Sequence, residues 1–148
     1  MKRNAYISSC KKYRYWLHRS WDEKKKSCSF IMLNPSTADD KVDDPTIRRC
    51  IGYAQKFGFG SMYVINLFAY RTPYKNVLKK ASNPVGPEND KFIENIAKKS
   101  EAVIAAWGNE GRYILFALVL ISLVIFGVAS APLVIPLYII ASLISGLF

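Results

Sequence analysis

Apolar and polar positions along this chain fall into two regimes. Through residue 112 short apolar runs alternate with charged stretches, and from residue 113 to 148 charge disappears altogether. In the first regime three apolar runs end on small polar clusters. Residues 30–33 end on Asn34-Pro35-Ser36-Thr37, residues 63–65 on Asn66, and residues 102–107 on Gly108-Asn109. Short apolar runs bounded in this way read as buried strands.

The intervening pattern predicts the other elements. Residues 13–17, Tyr-Arg-Tyr-Trp-Leu, alternate loosely and read as a further strand, followed by a charged turn at 22–26. The strand at 27–33 must stop at Pro35, which cannot donate to a ladder. Residues 36–44 form a polar loop containing Asp39, Asp40, Asp43 and Asp44. Pro45 opens a helix with Asp44 as N-cap. Ile47, Cys50, Ile51, Ala54 and Phe57 form its apolar face, and Gly58 and Gly60 stop it. The strand at 62–67 leads into a loop at 69–73 that carries Arg71, then a short helix at 74–81 and a linker at 83–87. Pro87 starts a second helix, with Glu88 and Asp90 in its first turn and Phe92, Ile93, Ile96 and Ala97 facing inward. The alternation predicts an α/β fold, a small three-layer parallel sheet with right-handed crossover helices. The polar clusters then share the carboxyl edge, where open α/β sheets bind ligands.

The second regime changes solvent. Its 36 residues contain no Asp, Glu, Lys, Arg or His, and about 20 apolar residues span a bilayer. Residues 115–131 are nearly long enough alone. Pro132 and Pro136 interrupt, and 137–148 is a shorter apolar stretch. The pattern predicts a C-terminal hydrophobic membrane helix or hairpin at 113–148, joined to a basic domain at 1–112. Lys98, Lys99 and Arg112 on its amino side place that domain in the cytoplasm, so the chain is expected to be membrane-associated. The polar start, Met1-Lys-Arg-Asn4, is not a signal peptide.

The formal charge of +10 lies entirely within 1–112. It points to nucleic acid, a nucleotide or an acidic membrane surface, and a lysine-rich solvated surface gives the same sum. Cys10, Cys28 and Cys50 form no CxxC pair, which fits reduced thiols. The lone His18 excludes a multi-histidine site, and no metal or cofactor is expected. No protein partner is deducible.

The candidate site residues follow from the polar clusters. The amide of Asn34 suits a water or a base edge, and equally a local Asn-Pro turn. Asn66 carries the same two readings. Asp39 is the general-base candidate, and the aspartate cluster around it suits Mg²⁺ or, alternatively, capping and pairing with Arg48 and Arg49. Arg48, Arg49 and Arg71 are candidate phosphate ligands or surface charges. Pro35, Ser36, Trp107, Gly108 and Asn109 complete the candidate substrate contacts. Tyr13, Tyr15 and Trp16, interleaved with Lys11, Lys12 and Arg14, suit a base-stacking strand or a lysine-protected edge.

Five ordered blocks carry a family resemblance. They are Phe30-Ile-Met-Leu-Asn-Pro-Ser-Thr-Ala-Asp39, Asp43-Asp-Pro-Thr-Ile-Arg-Arg-Cys50, Val64-Ile-Asn-Leu-Phe-Ala-Tyr-Arg71, Asn83-Pro-Val-Gly-Pro-Glu-Asn-Asp90 and Ala106-Trp-Gly-Asn109. Together they resemble the bacterial and phage-borne domain of unknown function 1643, a family with no settled activity. The order of strand then Asn-Pro, strand then Asn, strand then Trp-Gly is also similar to the uracil-DNA glycosylase superfamily. That likeness implies that Asn34 positions water and Asn66 binds an amide-like base edge. It also implies hydrolysis of a base–sugar bond on a flipped or single-stranded base. Members of the first family continue past Trp-Gly into a polar segment with a histidine-proline motif, whereas the neutral tail begins here at Tyr113. If that motif carries the chemistry, this chain lacks it. A membrane-tethered, non-enzymatic binding module and a Mg-dependent nucleotide hydrolase are the alternatives, so enzymatic status stays open.

Overall fold

A computed structural model describes residues 1–107. The elements are β1 (Lys2–Ile7), β2 (Arg14–Ser20), β3 (Ser27–Met32), α1 (Pro45–Lys56), β4 (Ser61–Asn66), α2 (Lys75–Lys80), α3 (Asn89–Lys99) and β5 (Ala102–Ala105). The five strands form one sheet in the order β1-β2-β4-β3-β5. β3 pairs parallel with β4 and with β5. β2 is antiparallel to β4, and β1 is antiparallel to β2.

The sheet is therefore mixed, which corrects the expected all-parallel sheet. The parallel core forms where helices separate the strands. β1 and β2 are joined by a turn too short for a crossover, so they pair as a hairpin. β1 itself escapes the pattern because Lys2, Arg3 and Asn4 are exposed. An edge strand needs no apolar alternation of its own.

The two crossovers run in opposite directions from β3. The chain passes from β3 through α1 to β4 on one side, then returns past β3 to β5 on the other. Right-handed connections then put α1 and α3 on opposite faces. On the α1 face Ile47, Cys50, Ile51 and Ala54 pack with Leu17, Cys28, Phe30, Met62, Val64 and Ile104. On the other face Phe92 of α3 lies 5.1 Å from the ring of Tyr15. Cys28 and Cys50 are buried in the α1 layer, and desolvation pushes both thiols up to about 12, so they act as protonated packing groups.

The start of α1 is as expected. Asp44 accepts from the N–H of Ile47 at 2.9 Å, and Pro45 occupies the first turn. Its end differs slightly. Phe57 is exposed at the C-cap instead of on the buried face, and Gly58 follows at φ +84°. α3 starts at Asn89, two residues after Pro87, because Gly86 at φ +86° turns the chain against the ring of Tyr13. A Cβ there would come within 2.9 Å of that ring, so the turn requires glycine.

Two buried arginines on β2 hold the 34–44 loop over the α1 face. Arg19 is 0% exposed and pairs with Asp43 at 2.7 Å. It also donates to the carbonyls of Asn4, His18 and Asp39. Arg14 donates to the carbonyl of Ala38 at 2.8 Å. The aromatic strand 13–17 is thus divided between faces: Tyr15 and Arg14 are buried, and Trp16 lies half-buried near Tyr63.

No helix among the described residues is long and apolar enough to cross a membrane. The tail 113–148 and the boundary at 112 lie outside the described residues.

Two tests bear on this architecture. Asp43→Asn leaves Arg19 buried without its carboxylate and should lower unfolding free energy by about 3 kcal/mol. Urea unfolding would show this as a lower midpoint with an unchanged slope. His18 stacks on Tyr63 at 4.3 Å, and burial, then Arg19, lower its pKa from 6.5. Below 6.5 the unfolded chain therefore binds more protons than the folded one. The His18 contribution is complete above that pH and is lost as pH falls through the folded value. A melting-temperature series from pH 7.5 to pH 5, each about a buffer step apart, should decline in the wild type and flatten in His18→Phe.

Candidate active site at the carboxyl edge of the sheet

The reversal of strand order makes the carboxyl ends of β3 and β5 a topological switch point, the usual ligand crevice in such sheets. Asn34 lies two residues beyond β3 and Trp107 two beyond β5, both half-buried. Asn66 ends β4 at the same edge. Since β2 runs antiparallel to β4, its first residue, Arg14, also lies there.

Backbone hydrogen bonds knit this edge together. The N–H groups of Leu67 and Phe68 donate to the carbonyls of Met32 and Leu33, and that of Thr72 donates to Pro35. Asn34 Nδ2 donates to the carbonyl of Thr72 at 2.8 Å and to that of Pro35 at 3.1 Å. Both Asn34 protons are thereby used, so the side chain offers a ligand its acceptor Oδ1. Pro35 is buried and Ser36 half-buried beneath the loop.

Asn66 is different. Its register partner is Met32, and it shares its strand face with Met62 and Val64, the face that α1 covers. It is 1% exposed, and among the described residues neither Nδ2 nor Oδ1 has a hydrogen-bond partner. A buried amide left unpaired costs about 1–3 kcal/mol. Asn66 thus presents an unpaired donor and an unpaired acceptor in a buried position.

Asn89 supplies a partial contrast, because its Nδ2 is bonded while its Oδ1, like that of Asn66, is buried without a partner among the described residues. This first residue of α3 is 0% exposed, and its Nδ2 donates to the carbonyls of Asn66 at 2.8 Å and Leu67 at 3.1 Å. It fixes the strand end that presents Asn66. Sequence reasoning treated this stretch as helix capping, and an asparagine two residues after a Gly-Pro gives no signal of the tertiary contact.

The aspartates take separate structural roles. Asp39 Oδ1 accepts the N–H groups of Lys41 and Val42 at 2.8 Å. Those bonds hold its carboxyl below the ordinary carboxylate range, which weakens it as a base. Asp43 pairs with Arg19 and Arg3, and Asp44 caps α1. Among the described residues no group of three or more His, Cys, Asp or Glu is placed to hold a metal.

The arginines also divide. Arg48 and Arg49 lie on the exposed face of α1, with Arg48 donating to the carbonyl of Asp43. Arg71 lies half-buried in the loop after β4, and its Nε is buried without a partner. Arg14 joins it. It is 2% exposed, and its Nε is likewise buried and unpartnered. The sequence showed Arg14 only as one basic residue among aromatics. Gly108 and Asn109 lie outside the described residues.

Apolar replacement separates the two asparagines. Asn66→Leu removes an unpaired buried amide and should raise unfolding free energy by about 1–2 kcal/mol. Asn89→Leu breaks two bonds to buried carbonyls and should lower it by about 1–3 kcal/mol. Paired urea titrations read both signs, and destabilisation by Asn66→Leu would show that its amide is structural.

No curated protein and no solved structure matches the chain. The family model described as "Protein of unknown function (DUF1643)" matches residues 14–116. That stretch begins at Arg14 and contains Asn34, Asn66, Arg71, Asn89 and Trp107, every residue placed at the carboxyl edge above. The match spans most of the chain's length, and the protein belongs to the DUF1643 family.

Proposed function

We propose that the chain is a nucleotide-directed domain that seats a nucleobase against Asn66. The observation that carries this reading is the buried Asn66 amide with both polar atoms unpartnered at the switch-point edge. A side-chain amide presents one donor and one acceptor side by side. Its complement is a ring with adjacent N–H and C=O groups, as in uracil, thymine and guanine. The loss of stability that an unpaired amide imposes is recovered only when such an edge fills it.

The layout agrees with what the likeness to uracil-DNA glycosylases implies. Asn34 Oδ1 remains available to hold a water near the crevice, and the unpaired amide of Asn66 supports its role in binding the base edge. The chain's one histidine, His18, stacks on Tyr63 of the same strand as Asn66 but from the alternate face. It is not placed to stabilise a departing base, so base recognition is the step this arrangement serves. The charge-free run at 113–148 serves as the membrane tether, with the basic domain on the cytoplasmic side.

The test is equilibrium binding of uridine, guanosine, adenosine and cytidine to the full-length chain. Uridine or guanosine should bind in preference to adenosine and cytidine. Asn66→Ala should weaken that binding by about tenfold or more, since a buried complementary pair is lost. Equal affinity for all four, or an Asn66→Ala variant that binds like the wild type, would overturn the reading.

A further inference from the structure

Regular alternation along β2 would send Arg14 to the opposite face from Leu17. A bulge prevents this. Tyr6 pairs with Trp16, but the next residue, Ile7, pairs with Arg14, so Tyr15 is an extra residue on β2. Bulges re-aim side chains in this way. Tyr15 stacks on Phe92 of α3, while Arg14 reaches the carbonyl of Ala38 on the α1 face. That is the face of Asn66, and both residues lie at the carboxyl edge on the neighbouring strands β2 and β4.

Arg19 shows how this fold satisfies a buried guanidinium. It has a carboxylate at 2.7 Å and three carbonyls. Arg14 is equally buried and has one carbonyl. Among the described residues no carboxylate lies within ion-pair distance of Arg14 or Arg71. The Nε of each is buried and unpartnered. The two are also close enough to repel. Burial first, and then the charges of Arg71 and Arg19 working against Asp44 and Asp39, bring Arg14 down to about 10. It stays charged at neutral pH, in a setting that leaves the charge incompletely compensated.

Two such forks with free Nε–H groups suit an anion with several acceptor oxygens. We propose that Arg14 and Arg71 hold the phosphate monoester of the nucleotide whose base lies on Asn66, an inference that rests on the base-recognition reading above. Burial selects the monoester. Arg14 is 2% exposed, so the anion must enter the site rather than pass across its mouth. A terminal phosphate can enter, whereas an internal phosphodiester carries chain on both sides. The ligand class is therefore a nucleoside monophosphate, free or at the end of a nucleic-acid strand.

The experiment compares UMP, uridine, inorganic phosphate and a 5′-phosphorylated oligonucleotide on the full-length chain by equilibrium titration, with GMP and guanosine as a second pair. UMP should bind about tenfold or more tightly than uridine, as charge-assisted bonds imply, and inorganic phosphate should compete with UMP. Arg71→Gln should bring the UMP-to-uridine ratio close to unity and leave uridine affinity unchanged. Arg14→Lys should also lower the ratio, because ammonium lacks the fork. If Arg14→Lys fails to fold, Arg71→Gln in its loop decides the matter. Equal affinity of the wild type for UMP and uridine, or an unchanged ratio in Arg71→Gln, overturns the inference while leaving base recognition intact. Phosphate binding that is lost in Arg71→Gln, with no nucleoside bound at all, would sustain the anion site and sink the base reading. Equal binding of the phosphorylated oligonucleotide and UMP identifies a strand end as the source, and weaker binding of the oligonucleotide identifies the free nucleotide.

Discussion

The path of the 34–44 loop over the sheet depends on burying guanidinium groups on one strand. β2 carries Arg14 and Arg19 on the face that α1 covers, and both reach up to the 34–44 loop. Desolvating such groups is expensive unless the surroundings supply acceptors. The loop supplies them through its own carbonyls and through Asp43, so its path over the sheet is dictated by the arginines below it. Loop and strand thereby become mutually dependent. Without the loop the arginines are stranded in the core, and without the arginines an acidic segment lies on an apolar face with nothing to hold it.

The same edge contains polar groups treated in opposite ways. Asn89 and Asn34 spend their Nδ2 donors on backbone carbonyls and make the edge rigid. Among the described residues Asn66, Arg14 and Arg71 keep buried atoms unpartnered, as do Asn89 at Oδ1 and Ser29 at Oγ. Native interiors hold few unsatisfied groups, and those that persist call for an explanation. Here four of the five residues that hold such atoms, Asn66, Asn89, Arg14 and Arg71, lie at the carboxyl edge, and the fifth, Ser29, lies within β3. The rigid set prevents the edge from relaxing to satisfy the open set.

Much of this was legible in the sequence. Apolar runs ending in polar clusters located β3, β4 and β5, and with them Asn34 and Asn66. Asp44-Pro45 marked the start of α1 because cap chemistry is local. What was not legible depends on partners distant in sequence. The antiparallel side of the sheet is set by the short β1–β2 turn and by β2 pairing with β4, which comes 41 residues after Ser20 at Ser61. Arg14 was unreadable because an extra residue interrupts the two-residue period, so counting parity along the strand assigns it to the wrong face. Asn89 was unreadable because its partners are main-chain atoms, which carry no residue identity. Asp39 looked like catalytic chemistry because turn-forming and proton-accepting aspartates are the same residue in sequence.

The bulge at Tyr15 has a consequence of its own. Most sites are adjusted by exchanging one side chain for another, a change of kind. Here the placement of Arg14 is decided by a local conformation, since Tyr15 is set aside as a bulge between Arg14 and Trp16. Ironing the bulge out into regular alternation would transfer Arg14 to the layer of Phe92 and bring the ring of Tyr15 beneath the loop, whereas deleting Tyr15 would leave Arg14 on the face of Leu17. The layer that receives the charge is thus set by how the β1–β2 pair accommodates one residue, and it changes only if that residue is taken into the regular ladder instead of being set aside.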